Sequence, residues 1–144
     1  MGKVFVIAQG GGPTAVINAT VAGAVSAARR RYPGARIFGA RHGVRGIRND
    51  HFIDLSDISD ADLKRLADTP GAALGSTRDK PDAEYCARIL NQLRAIAADA
   101  FIYIGGNDTA GTLATLSVAD DGRIALVHAP KTIDNDLVEN DHTP

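Results

Sequence analysis

Three short apolar segments of the sequence are each followed by a polar loop, and glycine or proline stands at each junction. "KVFVIAQ" (3–9) leads into "GGGPT", "AFIYIGG" (100–106) into "NDT", and "RIALVHAP" (123–130) into "KTIDND". Apolar residues at helical spacing fill much of the sequence between them, in "AVINATVAGAVSAARRRY" (15–32), "DADLKRLAD" (60–68), "AEYCARILNQLRAIAAD" (83–99) and "DTAGTLATLSVA" (108–119). Strands that alternate with helices in this way predict an α/β fold built on a parallel sheet.

A further apolar segment, "ARIFGAR" (35–41), predicts one more strand, and "HGVRGI" (42–47) after it is expected to be a loop. Thr14 and Asp82 each precede a helical pattern and suit the N-cap position. The predicted architecture is therefore a Rossmann-like parallel sheet flanked by helices.

Ligands of such sheets bind beyond the carboxyl ends of the strands. The loops 10–14, 105–109 and 130–136 all follow predicted strands, so we expect them to meet at one edge of the sheet. The polar loop "GSTRDK" (75–80) is expected to join them from the side. Convergence of separate loops indicates a ligand site more strongly than any one loop does.

Composition excludes several classes of function. The 144 residues suit about one domain, and 16 basic against 17 acidic residues leave a net charge of −1 without a basic block beyond "ARRRYPGAR". We therefore expect no nucleic-acid partner. The apolar runs are too short for a bilayer and the N-terminus lacks a signal pattern, which predicts a cytoplasmic protein with no membrane contact. The single cysteine, Cys86, is interpreted as a buried structural thiol.

The loops "QGGGPT" (9–14) and "IGGNDT" (104–109) suggest an anion site, because glycines bring backbone N–H groups close to a ligand and the next helix adds its positive end. The first loop matches neither the Walker pattern nor GxGxxG, and a tight turn without a ligand explains it equally well. In the second loop, Asn107 or Thr109 suits a helix cap and Asp108 suits the first helical turn. Capping does not explain the two glycines before them, which suggest a backbone that leaves room for a ligand.

"PKTIDND" (130–136) is the most informative segment. Phosphoryl transfer needs a base, a cation and carboxylates that hold Mg²⁺. Lys131, Thr132, Asp134 and Asp136 supply all of these within six residues. If the segment is extended, its two aspartates point to the same side. An Asx-rich surface turn is the alternative, but the apolar strand before the segment favours the functional interpretation.

Arg78 in "GSTRDK" suits a phosphate, although a solvated loop arginine explains it as well. Together, "GGGPTAVIN", "LGSTR", "YIGGNDT" and "PKTIDNDL" followed by "DHTP" resemble the 6-phosphofructokinases, in the same order and at about the family's spacing. The resemblance runs along the whole chain. It implies that residues 1–144 are the N-terminal, phosphoryl-donor-binding domain of a phosphofructokinase fold. Family members are at least twice as long, so the domain is expected to be truncated at Pro144, before a second domain that supplies most sugar-phosphate ligands.

Two positions resemble the pyrophosphate-dependent branch of this family. Lys131 precedes "TIDND" and Asp108 follows Asn107, where ATP-dependent members usually carry glycine. A carboxylate beside the inner phosphate of the donor would repel the α-phosphate of a nucleotide, whereas pyrophosphate has none. The implied activity is the glycolytic transfer of a phosphoryl group from pyrophosphate to the 1-hydroxyl of fructose 6-phosphate, with an ATP-dependent phosphofructokinase as the alternative.

The resemblance also implies which residues bind the donor. The backbone of Gly11 and Gly12 would contact its phosphates, with Arg78 as a side-chain ligand. Asp108 would enforce donor choice. Asn107 stands where the family usually has an aspartate that helps to hold Mg²⁺, and a neutral amide is a weaker metal ligand.

Catalytic roles follow from the same resemblance. Lys131 and Thr132 would stabilise the transferred phosphoryl group, and Asp134 would deprotonate the sugar hydroxyl. Asp136 would orient the substrate or assist the metal. The full-length form is expected to be a homo-oligomer, and the 144-residue chain to be inactive alone.

Two other interpretations remain open at this stage. A diacylglycerol- or NAD-kinase-like domain would share the glycine–acid turn but lacks "PKTIDND". A non-catalytic phosphate- or nucleotide-binding module would share the fold without turnover.

Overall fold

The computed structural model describes residues 2–139 and 142–143, so Asp141 and Pro144 of the "DHTP" motif lie outside the described residues. Strands and helices alternate over most of this range. In chain order they are β1 (Val4–Gln9), α1 (Ala15–Arg31), β2 (Arg36–Ala40), α2 (Val44–Arg48), β3 (Phe52–Asp54), α3 (Asp60–Asp68), α4 (Ala83–Ala95), β4 (Ala100–Gly105), α5 (Asn107–Ala119) and β5 (Ala125–Pro130).

The strands form one sheet in the order β3-β2-β1-β4-β5. The pairs β1–β2, β1–β4 and β4–β5 are parallel, which confirms the predicted α/β fold. The short edge strand β3 pairs antiparallel with β2 and was not predicted. Because the chain moves outward from β1 to β2 and then returns to β4 on the other side, the loops after β1 and β4 diverge at a topological switch point.

Helices cover both faces of the sheet, as the buried apolar positions require. On one face, Ile17, Val21 and Val25 of α1 are fully buried against the sheet, with α3 beside them. On the other face, α2, α4 and α5 pack around Phe101 of β4. The sheet is thus held between two apolar layers, and its strand ends form a fixed base for the loops.

The largest difference from prediction is α2, which occupies most of the expected loop 42–47. Val44 and Ile47 are both fully buried in the apolar layer that contains α4. Gly43 before them has a φ of 64°, which is favourable mainly for glycine. The helix forms because this burial stabilises it, although one turn and a half is too short to show a period in the sequence.

The predicted helix 83–99 ends early, at Ala95, and Ala97 takes a left-handed φ of 55°. Asp99 is therefore outside the helix, where its carboxylate accepts a hydrogen bond from the Val4 backbone N–H at 2.8 Å. The ammonium group of Lys3 pairs with the same carboxylate at 2.7 Å. These contacts tie the start of β1 to the start of β4.

Other local predictions are confirmed. The Asp82 carboxylate caps α4 by accepting from the Tyr85 N–H at 2.8 Å. Cys86 is buried, and burial raises the pKa of its thiol. Among the helices of the described part of the chain, none combines the length and the apolar character that crossing a membrane would require.

Candidate active site

The loops that follow β1, β4 and β5 meet at the carboxyl edge of the sheet around a cleft of about 350 Å³. Every residue that the sequence singled out for the site lines this cleft: Gly11, Gly12, Arg78, Asn107, Asp108, Lys131, Thr132, Asp134 and Asp136. The remaining lining residues fall within the loops predicted to form the site but were not named as ligands: Pro13, Thr14, Gly106, Thr109 and Ile133. The predicted convergence of the loops is therefore confirmed.

The glycine loop after β1 is bonded directly to the loop that carries Arg78. The Gly11 N–H donates to the Thr77 carbonyl at 3.0 Å, and the Ser76 hydroxyl donates to the Gly11 carbonyl. Gly11 has a φ of 72°, and the space where a Gly12 side chain would begin lies 3.4 Å from an Arg78 guanidinium nitrogen. The arginine thus stands beside the glycine loop, in which Gly11 has a backbone conformation that favours glycine.

Thr14 precedes α1 as predicted, but its side chain makes no capping hydrogen bond. Its buried hydroxyl oxygen has no hydrogen-bond partner among residues 2–139 and 142–143. Unsatisfied buried hydroxyls are uncommon in folded proteins. This one lies in the wall of the cleft.

Lys131 brings a second cation to the glycine loop. Its side chain is buried, and its ammonium group donates to the Gly12 carbonyl. Burial lowers the pKa of this amine, and the positive charge of Arg78 lowers it further. Both effects would be relieved by an anion placed between the two side chains.

Asp136 joins the loop after β5 to the start of α5. Its carboxylate accepts from the Thr132 hydroxyl at 2.8 Å and from the Asn107 amide nitrogen at 3.0 Å. The Thr132 oxygen also accepts from the Asp134 N–H at 3.2 Å. Threonine, asparagine and two aspartates therefore form one connected group.

The segment 131–136 is not extended, because Asn135 has a left-handed φ of 53°. The simple alternation expected for Asp134 and Asp136 is thus wrong, although both line the cleft. The Asp134 side chain is exposed, and its carboxylate accepts no hydrogen bond from the described residues. An exposed carboxylate without a partner remains available to a substrate.

The two glycines at the end of β4 are explained by different features of the structure. A side chain on Gly105 would overlap Thr109 and approach the Gly10 carbonyl to 3.0 Å, so this glycine serves packing. Gly106 lines the cleft and has ordinary space around it. Neither Asn107 nor Thr109 caps α5: Thr109 is instead buried beneath the loop. The interpretation as room for a ligand is therefore replaced by packing at Gly105 and stays a prediction at Gly106.

Asp108 lies at a boundary between two clefts. Its carboxylate is exposed and is 3.7 Å from the ammonium group of Lys80. A second cleft of about 270 Å³ shares Asn107 and Asp108 with the first and continues along α5 past Gly111. A ligand that extends from the first cleft into the second would pass this carboxylate.

The remaining ionisable groups do not form a metal cage. No group of three or more His, Cys, Asp or Glu residues within the described ranges is placed to hold a metal ion. The ring Nε2 of His128 lies 2.7 Å from the Gly105 carbonyl, a contact that ties β5 to the end of β4. Any metal would therefore rely on the cleft carboxylates and on oxygen atoms of a ligand.

A doubly wound sheet that places a glycine loop, two cations and several carboxylates at its switch point defines an α/β protein with a phosphate-binding site. Residues 4–144 match the phosphofructokinase family, and the chain belongs to that family. The family resemblance identified in the sequence is thereby confirmed.

Individual relatives are closely similar over nearly the whole chain. The pyrophosphate--fructose 6-phosphate 1-phosphotransferase of Rhodospirillum rubrum is 52% identical over 99% of this chain, and that of Xanthomonas campestris is 42% identical over 95%. The crystal structure of a pyrophosphate-dependent phosphofructokinase from Marinobacter aquaeolei superposes with a TM-score of 0.89 at 36% identity, over 99% of this chain and 36% of that one. The chain spans 36% and 34% of the length of the two curated relatives.

Proposed function

We propose that this chain is the N-terminal, donor-binding part of a pyrophosphate-dependent 6-phosphofructokinase, a cytoplasmic homo-oligomer in its full-length form. The reaction is phosphoryl transfer from pyrophosphate to the 1-hydroxyl of fructose 6-phosphate. The observation that carries the proposal is the single cleft lined by Gly11 and Gly12, by Arg78 and Asp108, and by every residue of the "KTIDND" segment except Asn135. The relatives named for this reaction support it.

Donor binding follows from the cations around the glycine loop. The Arg78 guanidinium can hold two phosphate oxygens, while the backbone near Gly11 and Gly12 admits the anion closely. Lys131 donates to the Gly12 carbonyl in the structure and would exchange this partner for a phosphate oxygen. The exchange replaces a neutral acceptor by a charged one, so it favours binding of the anion.

Donor choice would depend on Asp108. Pyrophosphate would occupy the first cleft, whereas a nucleotide would continue past the Asp108 carboxylate towards the second cleft. That carboxylate would repel the α-phosphate of ATP. Specificity then comes from a repulsive group directed against the competing donor.

In the chemical step, Asp134 would accept the proton of the sugar hydroxyl, since its carboxylate is exposed in the cleft and free of protein partners among the described residues. Lys131 and Thr132 would stabilise the charge on the transferred phosphoryl group. Asp136 is held by Thr132 and Asn107, which suits it to orient groups rather than to move a proton.

The cleft fits a magnesium ion. Mg²⁺ is usually bound through one or two carboxylates and the phosphates of the substrate, which agrees with several cleft carboxylates and no closed cage among the described residues. Asp136 would hold the ion, with Asn107 beside it. When bound, Mg²⁺ would neutralise negative charge on the donor phosphates.

A coupled assay on the full-length protein tests donor choice. Fructose 6-phosphate and Mg²⁺ are supplied with either pyrophosphate or ATP, and pyrophosphate is the expected donor. Asp108→Gly should raise kcat/KM for ATP by about tenfold or more relative to pyrophosphate, which is a change of about 1.4 kcal/mol in selectivity. Glu84→Gly is a matched control, because Glu84 is also an exposed acid in the first turn of a helix but lies outside the cleft. Preference of the unchanged protein for ATP would refute the proposal.

The base assignment is tested by Asp134→Asn in the same assay. We expect kcat to fall by about 10²–10⁴-fold, the usual contribution of a general base, while pyrophosphate still binds. Glu139→Gln provides the control, because it removes an exposed carboxylate nearby that does not line the cleft. Normal turnover by Asp134→Asn would exclude this residue as the base. Pyrophosphate binding without any sugar phosphorylation by the full-length protein would instead support a non-catalytic module.

A further inference from the structure

We propose that the buried amides of Gln9 and Asn18 are positioning residues for the donor, because they fix the loop 69–78 that carries Arg78. This inference rests on the proposed function and extends it to two residues that do not line the cleft. Both side chains are almost completely buried, at 0% and 1% exposure.

The two amides bond to each other and to the backbone of the loop. The Gln9 amide nitrogen donates to the Asn18 side-chain oxygen at 2.8 Å and to the Ile17 carbonyl at 3.1 Å. The Gln9 side-chain oxygen accepts from the Leu74 N–H at 2.9 Å. Gln9 is therefore a bridge between the first turn of α1 and the loop.

Asn18 binds the loop at two further points. Its amide nitrogen donates to the Thr69 carbonyl at 2.7 Å, and its oxygen accepts from the Ala73 N–H at 2.8 Å. Three backbone groups of one irregular loop are thus satisfied by two side chains from the β1–α1 unit. The Leu74 N–H is buried and would otherwise be left without a partner next to an apolar layer, at a cost in free energy.

The bonded segment lies immediately before Arg78. After Leu74, Gly75 takes a φ of 77° against the ring of His42, and Thr77 then accepts from the Gly11 N–H. Between Thr69 and Thr77 the loop is therefore attached repeatedly to the same unit that forms the glycine loop. Arg78 follows one residue later, so its direction is set by these attachments.

The affinity for the donor depends on where the Arg78 guanidinium is held and not only on its presence. Arg78 is exposed, and an exposed arginine on a mobile loop would lose conformational freedom when it binds the donor. Fixing the backbone before binding removes part of this cost. Loss of the amide pair should therefore weaken the donor complex without removing any group that touches the donor.

The test combines hydrogen exchange with pyrophosphate titration of the full-length protein in the presence of Mg²⁺. In Asn18→Ala, we expect the Ala73 and Leu74 amides to exchange about tenfold faster or more, while the strand amides of Phe101 and its neighbours stay protected. The Kd for pyrophosphate should rise about tenfold. Thr20→Val is the matched control: it also lies on α1 and loses one hydrogen bond, but that bond stays within the helix.

A double-mutant cycle separates positioning from a general loss of stability. If Asn18 acts through Arg78, Asn18→Ala should change the Kd little when Arg78→Ala is already present. An equal loss of affinity in both backgrounds, or an unchanged Kd despite faster exchange of the loop, would overturn the inference. Unchanged exchange of the two loop amides would overturn it as well.

Asn18→Asp is the second variant, for the case that Asn18→Ala does not fold. It keeps the oxygen that accepts from Ala73 but places a carboxylate against the Thr69 carbonyl, so faster exchange should begin at the start of the loop. Unaltered exchange and affinity in this variant would count against the inference. If the unchanged full-length protein binds no pyrophosphate, the proposed function fails and the inference with it. Normal binding that Asn18 substitutions leave intact refutes the inference alone.

Discussion

Replacing Gly105 by alanine should destabilise the fold far more than the same change at Gly106. A methyl group at Gly105 would overlap the Thr109 hydroxyl, lie 2.8 Å from the Thr109 Cβ and approach the Gly10 carbonyl oxygen to 3.0 Å. Thr109 is only 4% exposed and cannot swing into solvent. At Gly106 the nearest atom is the Lys131 carbonyl oxygen at 3.5 Å, which is an ordinary contact.

The cost follows from the number of close contacts. Overpacking of a dense core usually costs about 1–3 kcal/mol, and three close contacts with two atoms of a fixed side chain and one backbone oxygen place Gly105→Ala near the upper end, at about 3 kcal/mol. For a chain of this size that corresponds to a fall in Tm of about 10 °C. Gly106→Ala should lower the free energy of unfolding by only about 1 kcal/mol, because Gly106 is the N-cap of α5, where alanine is less favourable than glycine, while its methyl group narrows the cleft and weakens pyrophosphate binding.

Thermal and urea unfolding followed by circular dichroism measure both variants against the unchanged chain. Thr109→Ala in the Gly105→Ala background should recover part of the loss, because the most closely overlapping atom is then absent. Equal melting of the Gly105→Ala and Gly106→Ala variants would refute the packing explanation. Failure of Thr109→Ala to restore any stability would show that Thr109 is not the obstructing residue.

Two further predictions concern the apolar layer that contains α4 and the end of the loop that carries Arg78. Leu93→Ala should lower the free energy of unfolding by about 2–5 kcal/mol, since Leu93 is fully buried in α4, whereas Val118→Ala on the exposed side of α5 should stay within about 0.5 kcal/mol in the same urea titration. Arg45 pairs with Asp79 at 2.6 Å and, together with a hydrogen bond from Tyr85, holds the pKa of the Asp79 carboxyl well below its usual range. Because an unfolded aspartate titrates near about 3.9, this stabilisation should be complete above about pH 5 and fall away as the pH drops through the folded pKa; Asp79→Asn should flatten that part of the stability profile.

The sequence predicts the long elements of the fold well, for a physical reason. Strands β1, β2, β4 and β5 are short apolar runs with turn residues after them, and four of the helices are long enough to show their period. Helix α2 and strand β3 were missed because five and three residues are too few to show one. They form through contacts with the rest of the protein: burial of Val44 and Ile47, and pairing with β2.

The location of the site was predictable from topology alone. Parallel strands present their carboxyl ends at one edge, so the loops after β1, β4 and β5 had to lie together whatever their exact conformation. The exact backbone conformation of these loops was harder to predict from the sequence. Asn135 turns the backbone with a left-handed φ, which asparagine tolerates better than most residues, but nothing in the local pattern requires it. The catalytic roles of the cleft residues stay predictions.

Contacts between distant residues were not predictable at all. Gln9 and Asn18 are 65 and 55 positions from the loop amides that they bind, and Arg45 is 34 positions from Asp79. A glutamine before a glycine turn and an asparagine within a helix look unremarkable in a single sequence. Their importance comes from the fold, which buries both amides beside the irregular backbone of the loop and lets them satisfy three of its polar groups.

The loop 69–79 shows how these contacts combine into a binding site. Gln9 and Asn18 fix its first half, and the pair of Asp79 with Arg45 fixes its end, so the backbone on both sides of Arg78 is held before any donor arrives. An anion site that is ordered in advance pays little conformational entropy on binding. We therefore expect the donor affinity to depend on this loop as much as on the glycines themselves. Loosening either attachment should weaken pyrophosphate binding even when every group that contacts the donor is still present.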